Sequence, residues 1–133
     1  MKIIRIAEFF YDQTYSDDYG EWKVPKIHEY AKKHGKRKLI SIKKLLHNLD
    51  PSPHESGDEL PGSPEFIERA NDSDLSYPII VVKYPDGLFI ADGVHRLWKA
   101  KEEELTTIKA YLIDSSELHG ITPEKRFKKI NRE

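Results

Sequence analysis

The sequence contains no cysteine among its 133 residues. This absence excludes disulfide bonds, thiolate metal ligands and a cysteine nucleophile. No apolar run approaches the ~20 residues that a membrane-spanning helix needs, and the first residues lack the apolar segment of a signal peptide. We therefore expect a cytoplasmic protein that has no membrane partner.

Several catalytic and ligand-binding motifs are also missing. The chain has no Walker A loop, no Gly-x-Gly-x-x-Gly fingerprint and no Gly-x-Ser-x-Gly nucleophile elbow. Its histidines do not have the spacing of a metal site, so surface or packing roles are expected for them and the metal remains unknown. These histidines are His28, His34, His47, His54 and His119.

The charged residues are abundant and unevenly distributed. Apolar residues make up 38% of the chain and charged residues 34%, which is typical of a globular protein with a well-solvated surface. Basic residues dominate the segment 23–44 and the tail after residue 121, and acids dominate the segment 50–74. Such an uneven distribution of charge is usual for solvated helix and loop faces. Its basic segments would also attract a polyanion such as nucleic acid. The length favours one domain over residues 1–133.

Strand and helix signals alternate along the chain. An apolar, β-branched run over 77–84 predicts a buried strand, and a Pro-Asp-Gly turn followed by Leu88–Ala91 predicts a hairpin. Helices are predicted over 25–34, over 63–70 from a Ser-Pro-Glu start, and over 94–104. Strands are predicted over 2–10 and 107–113. Residues 39–42 are expected to be either a strand or the lead into a helix that runs through Leu46. This order predicts an α/β (α+β) fold, in which a small mixed sheet is flanked by helices.

Three other segments carry weaker signals. The polar stretch around Tyr15 and Tyr19 is expected to be a loop. Residues 48–62 are rich in Pro, Gly, Ser and acids and predict a long loop, which is either a lid over a ligand or a segment with no such role. Thr122-Pro123-Glu124 predicts the start of a basic C-terminal helix.

The polar cluster at 92–96 lies where the hairpin ends and a helix begins. Asp92 is expected to be the N-cap, and Gly93 permits a tight turn. The first N–H groups of the helix, the helix dipole and the guanidinium of Arg96 would together favour an anion. His95 would donate to that anion or transfer a proton. The alternative is that Asp92 only caps, His95 packs and Arg96 makes a surface ion pair.

The sequence from Tyr77 to Ile113 resembles the ParB N-terminal/sulfiredoxin-like superfamily. The resemblance rests on Asp92-Gly93-Val94-His95-Arg96 and on the hydrophobic frame around it, and it extends over residues 39–113. Residues 1–38 and 114–133 are extensions that it does not assign. The box is closest to that of the ParB-like free serine kinases.

The resemblance implies a cradle for nucleotide phosphates at Gly93, Val94, His95 and Arg96. It implies CTP or ATP as ligand in the relatives, and an acidic residue as base in the serine kinases. Glu55 is the expected counterpart of that acid, with Asp58 and Glu59 as further candidates. Val94 stands where sulfiredoxin has its cysteine, so sulfiredoxin chemistry is excluded. The short tail likewise has no room for the helix-turn-helix of a full ParB protein.

These observations predict a nucleotide-binding protein, and the activity expected of it is that of an ATP- or ADP-dependent phosphotransferase or NTPase that works with Mg²⁺. Asp92, His95 and Glu55 would be its catalytic residues, and a small hydroxyl compound would be the phosphate acceptor. Two alternatives stay open. One is a nucleic-acid-binding or nuclease module, and the other is a non-catalytic adaptor gated by its ligand.

Overall fold

A computed structural model describes residues 13–50 and 60–127 of the chain. The predicted strand over 2–10 and the candidate acids Glu55, Asp58 and Glu59 lie outside these residues. The described strands are β1 (Thr14–Ser16), β2 (Gly20–Lys23), β3 (Lys36–Ser41), β4 (Ile79–Tyr84), β5 (Gly87–Asp92), β6 (Thr107–Asp114) and β7 (Lys125–Arg126). The helices are α1 (Val24–His34), a 3₁₀ helix (Ile42–Leu49), α2 (Pro64–Asp72), α3 (Val94–Glu102) and α4 (Ser115–His119).

A four-stranded mixed sheet in the order β3-β6-β4-β5 forms the centre of the fold. Strands β4 and β6 run parallel, while β3 pairs with β6 and β5 pairs with β4 in antiparallel fashion. The predicted hairpin is confirmed, with Tyr84 opposite Gly87 at the turn. The predicted α+β fold class, a small mixed sheet with flanking helices, is therefore confirmed.

Strand β4 is buried on both faces, as its continuous apolar run predicts. Ile79 and Val81 pack against the 3₁₀ helix and α3. Ile80 and Val82 point the other way and join a second cluster formed with α1 and Trp22. Two hydrophobic layers thus enclose one strand, and the alternation of side chains along it supplies both layers.

Helix starts follow the local sequence signals closely. Ser63 caps α2, its side-chain oxygen accepting a hydrogen bond from the Phe66 N–H at 3.2 Å, with Pro64 at the first helical position. Helix α1 begins one residue before Pro25 and ends at Gly35. No helix in the described residues is long and apolar enough to cross a membrane.

The second, three-stranded sheet in the order β1-β2-β7 was not predicted. The expected loop at Tyr15 and Tyr19 is wrong, since β1 and β2 form a hairpin there. The expected helix after Thr122 is also wrong for the described residues, because backbone N–H groups there donate to β2 and the loop before it. Glu124 donates to the Glu21 carbonyl at 2.7 Å, and Phe127 to the Tyr19 carbonyl at 2.9 Å.

A buried tryptophan explains why this strand pairing replaces a helix. Trp22 is 0% exposed, and its indole N–H donates to the Ile121 carbonyl at 2.9 Å. Burying so large a side chain is worth more than the weak helical preference of a short, charged tail. The C-terminal segment is therefore held against β2.

Asn48 covers the outer edge of β5. Its Oδ1 accepts a hydrogen bond from the Ile90 N–H at 2.9 Å, and its Nδ2 donates to the Leu88 carbonyl at 3.2 Å. The amide thus imitates the backbone of a neighbouring strand. The prediction that the long loop begins at Asn48 is corrected here, because Asn48 belongs to the 3₁₀ helix.

We expect Asn48→Ala to lower the free energy of unfolding by about 1–3 kcal/mol, because it leaves two backbone groups of β5 without their protein partner. Urea denaturation followed by circular dichroism measures the change. Asn71→Ala, on the exposed surface of α2, is the matched control and should change stability by less than about 0.5 kcal/mol. Equal effects of the two substitutions would show that the edge contact contributes nothing.

Candidate functional site

The turn between β5 and α3 is pressed against the first residue of β4. Gly93 has φ +120°, and a Cβ added to it would lie 2.3 Å from the Ile79 Cγ2 atom. No side chain fits there, so the sequence requires glycine on both conformational and steric grounds. The backbone of the turn is thereby fixed to the buried core of the sheet.

Asp92 does not cap the helix, and the prediction that it does is wrong. Gly93 is the N-cap residue, and no side chain caps α3. Asp92 is the last residue of β5, and its carboxylate points toward α1 instead. Its Oδ2 lies 2.7 Å from the Nε2 atom of His28.

The Asp92–His28 pair is a part of the site that the sequence did not indicate. The side chains of Asp92 and His28 are 14% and 29% exposed, so the pair is screened from water but remains accessible. His28 lies 64 residues before Asp92 and reaches it because α1 packs across the sheet beside β5. A histidine next to the buried Ile27 on an amphipathic helix gives no signal of such a role.

The first turn of α3 has free backbone donors. The first helical hydrogen bond is from the Leu97 N–H to the Gly93 carbonyl at 3.0 Å. In the described part of the chain, no group accepts a hydrogen bond from the N–H groups of Val94, His95 or Arg96. The prediction that a helix opens at this turn is confirmed, and the prediction that its first N–H groups face solvent and are unblocked stays a prediction.

Arg96 has a buried donor that lacks an acceptor. Its Nε atom is inaccessible to water and has no hydrogen-bond partner among the described residues. One terminal nitrogen donates to the Pro78 carbonyl at 3.5 Å, the long limit for such a bond. A buried guanidinium nitrogen with no acceptor costs free energy, and an anion that reached it would remove that cost.

His95 is held against an aromatic ring. Its imidazole packs on Phe66 of α2, with ring centroids 4.4 Å apart. Burial, with a contribution from the positive charge of Arg69, lowers the pKa of His95 to about 4. His95 is therefore neutral at neutral pH, and it can donate or accept a hydrogen bond there but brings no positive charge.

The structure thus brings together Asp92, Gly93, Val94, His95 and Arg96, and it adds His28. Glu55, the expected base, lies outside the described residues. Among residues 13–50 and 60–127, no group of three or more His, Cys, Asp or Glu side chains has the arrangement of a metal site. The positive charge near the turn comes from arginine and from backbone N–H groups.

Comparisons with known proteins were made for sequence and for structure. No protein-family model matches the chain, and no curated protein sequence matches it. Among solved structures, sulfiredoxin from Arabidopsis thaliana is similar, at 16% sequence identity and a TM-score of 0.38, over 64% of this chain and 94% of that chain. A likeness of this size concerns the course of the backbone and says nothing of ligand or reaction.

Gly93→Ala tests the close contact of the turn with β4. We expect a loss of about 2–4 kcal/mol in the free energy of unfolding, because the new methyl group would overlap Ile79. The control is Gly62→Ala, where φ is +94° but the added Cβ would stand 3.6 Å from the nearest atom, in the Trp98 ring. Thermal and urea unfolding compare the two variants. A Gly93→Ala cost no larger than that of Gly62→Ala would refute the overlap.

His95 should make folding depend on pH. Its pKa falls from 6.5 to about 4 on folding, so the unfolded chain binds a proton in this window that the folded protein does not. Stability should therefore decline as the pH is lowered from 6.5 to about 4, by about 1–2 kcal/mol after allowance for partial exposure. Urea denaturation at several pH values should show a flatter profile for His95→Leu. His34→Leu, at an exposed histidine of α1, should leave the profile unchanged.

Proposed function

We propose that the chain binds a nucleotide through its phosphates at Gly93, Val94, His95 and Arg96. The observation that supports this most is that, among residues 13–50 and 60–127, the buried Nε of Arg96 has no acceptor and the three N–H groups at the adjacent helix start have none either. Phosphate oxygens satisfy several such donors at once, and a guanidinium matches their geometry. ATP, ADP and CTP all carry the group that this site would hold.

The residues of the site would have separate tasks. Arg96 and the backbone N–H groups would bind phosphate oxygens and stabilise charge. His95 is neutral and packs on an aromatic ring. It would donate one further hydrogen bond, or accept a proton directly because it does not have to be deprotonated first. Asp92 keeps one carboxylate oxygen with no partner among the described residues, while the other is oriented by His28.

The reaction that fits these residues best is phosphoryl transfer to a small hydroxyl compound, or hydrolysis. A bound nucleotide with Mg²⁺ would supply the transferable phosphoryl group and neutralise part of its charge. The chain would contribute position and electrostatics. The free oxygen of Asp92 would contact the metal ion or accept the proton of the hydroxyl group, and Glu55 remains the proposed base.

A second function is supported by a different surface. The paired residues Arg37 and Tyr111, with Leu39 and Lys109, lie on the face of strands β3 and β6 on which α1 packs. Leu39 is 66% exposed, and the Arg37 guanidinium lies 5.6 Å from the centre of the Tyr111 ring. A partly buried ring, an exposed apolar side chain and two exposed cations at the β3 margin of this face are suited to single-stranded nucleic acid. An adaptor that binds nucleotide without turnover is the third proposal.

Arg96→Ala should weaken nucleotide binding by about 1.5–3 kcal/mol, the range for a hydrogen bond to a charged group. Isothermal titration with ATP, ADP and CTP, with and without Mg²⁺, measures this. Arg37→Ala removes an arginine from the exposed surface of β3, away from the turn at 92–96, and this variant should bind nucleotide normally. A drop in melting temperature with unchanged affinity for Arg96→Ala would make the residue structural.

The same variants distinguish the three functions. Release or transfer of phosphate, with Glu55→Gln losing rate but little affinity, would support an enzyme. Nucleotide binding without turnover of any hydroxyl acceptor would favour the adaptor. Binding of single-stranded DNA that declines steeply with salt and is lost in Arg37→Ala, without nucleotide binding, would favour the nucleic-acid module.

A further inference from the structure

We propose that a second pocket, at the other end of the β4–β5 hairpin, binds a methylated ammonium group. The pocket has a volume of about 510 Å³ and lies between the β1–β2 turn, the β4–β5 turn and α4. It shares no residue with the turn at 92–96, so this inference is independent of the proposed function. The residues that matter most are Tyr15, Asp18, Tyr84, Asp86 and Phe89.

Aromatic rings form much of its wall. Tyr84 and Phe89 meet edge to face, with ring centroids 5.5 Å apart and planes at 86°, and Tyr15 adjoins Tyr84. The faces of such rings carry negative potential and attract cations that approach within about 6 Å. The chain itself provides an example, because the guanidinium of Arg126 lies 5.0 Å from the centre of the Tyr19 ring at this pocket.

The charge at the rim selects a cation over a neutral apolar ligand. Asp18 and Asp86 are exposed, and neither makes an ion pair with any residue in the described part of the chain. No lysine or arginine is among the residues that line the pocket. Two carboxylates that have no ion-pair partner in the described part of the chain therefore lie beside aromatic rings, an arrangement that suits a cation that carries methyl groups.

The floor of the pocket offers few hydrogen-bond acceptors. Asp17 already accepts four hydrogen bonds, from the Tyr84 hydroxyl at 2.6 Å, the His119 imidazole at 2.8 Å and the backbone N–H groups of Tyr19 and Gly20. The Tyr84 hydroxyl donates to Asp17, so the Tyr15 hydroxyl donates to Tyr84 at 3.1 Å. Within this network only the lone pairs of the Tyr15 hydroxyl and one lone pair of the Tyr84 hydroxyl remain for a new donor, and the other free acceptors are the rim carboxylates of Asp18 and Asp86.

This distribution of acceptors favours a quaternary over a primary ammonium ion. A primary ammonium brings three N–H groups that need acceptors when they leave water, so it would stay at the rim carboxylates, because few acceptors remain beside the rings. A quaternary ammonium brings no N–H group and presents methyl groups to the rings. Burial raises the pKa of Asp17, but its hydrogen bonds outweigh burial and lower that pKa overall. The carboxylate thus stays ionised and keeps the floor in place.

The ligand could be a small molecule or a side chain, since choline-like compounds and trimethyllysine carry the same group. We would follow the protein by two-dimensional NMR during titration with tetramethylammonium chloride, choline, and a short peptide with trimethyllysine or with unmodified lysine. Saturable shifts should appear for residues 15–19 and 84–89 with the methylated probes. Binding of the trimethyllysine peptide more tightly than choline identifies a protein partner, and the reverse identifies a small molecule.

Two variants test the contributions of charge and ring. The double variant Asp18→Asn, Asp86→Asn should weaken tetramethylammonium binding about fivefold or more, and Phe89→Leu by roughly 3- to 10-fold, while both remain folded. Asp72→Asn, at an exposed acid on α2, is the control for general charge. The proposal is overturned if no methylated probe gives saturable shifts, if sodium chloride alone reproduces them, or if unmodified lysine binds as well as trimethyllysine. Equal binding by the control and the double variant would also overturn it.

Discussion

The contact between Gly93 and Ile79 is the constraint on which the site depends. Ile79 is the first residue of a strand that is buried on both faces, and it has 0% exposure. The turn that precedes α3 lies directly on this residue, so the position of the helix start is set by the best-packed part of the core. The first N–H groups of α3 and the guanidinium of Arg96 are therefore held in fixed positions. A site built this way pays little entropy to become ordered around a ligand.

Burial affects the protonation of His95 and of Arg96 differently. The imidazole of His95 responds by losing its proton at neutral pH. Arginine cannot do so, because its guanidinium stays protonated throughout the physiological range. Arg96 therefore keeps its charge while one of its nitrogens has no acceptor in the part of the chain that the structure describes, whereas His95 packs on Phe66 as a neutral ring. Two adjacent residues thus provide the site with a permanent positive charge, from Arg96, and a neutral hydrogen-bond donor, from His95.

Features that depend on neighbouring residues could be predicted from the sequence. The hairpin, the Ser63 cap and the helix that opens after Gly93 each follow from residues within a few positions of one another. The Asp92–His28 pair and the strand pairing of the tail depend on packing between segments far apart in the chain. Asp92 was expected to cap because Asp often does so, but the strand continues through it and turns its carboxylate toward α1. No local pattern distinguishes these two orientations.

The amide of Asn48 has a consequence for how copies of the chain can meet. Because it occupies the Leu88 carbonyl and the Ile90 N–H, it hinders a strand from another molecule from pairing with the middle of β5. Extension is left to β3, where Lys36, Arg37 and Lys38 succeed one another along the other edge. Two identical β3 edges would bring six positive charges together and repel. Edge-to-edge pairing between two copies of the sheet is therefore hindered at β5 by the hydrogen bonds of Asn48 and at β3 by repulsion between like charges.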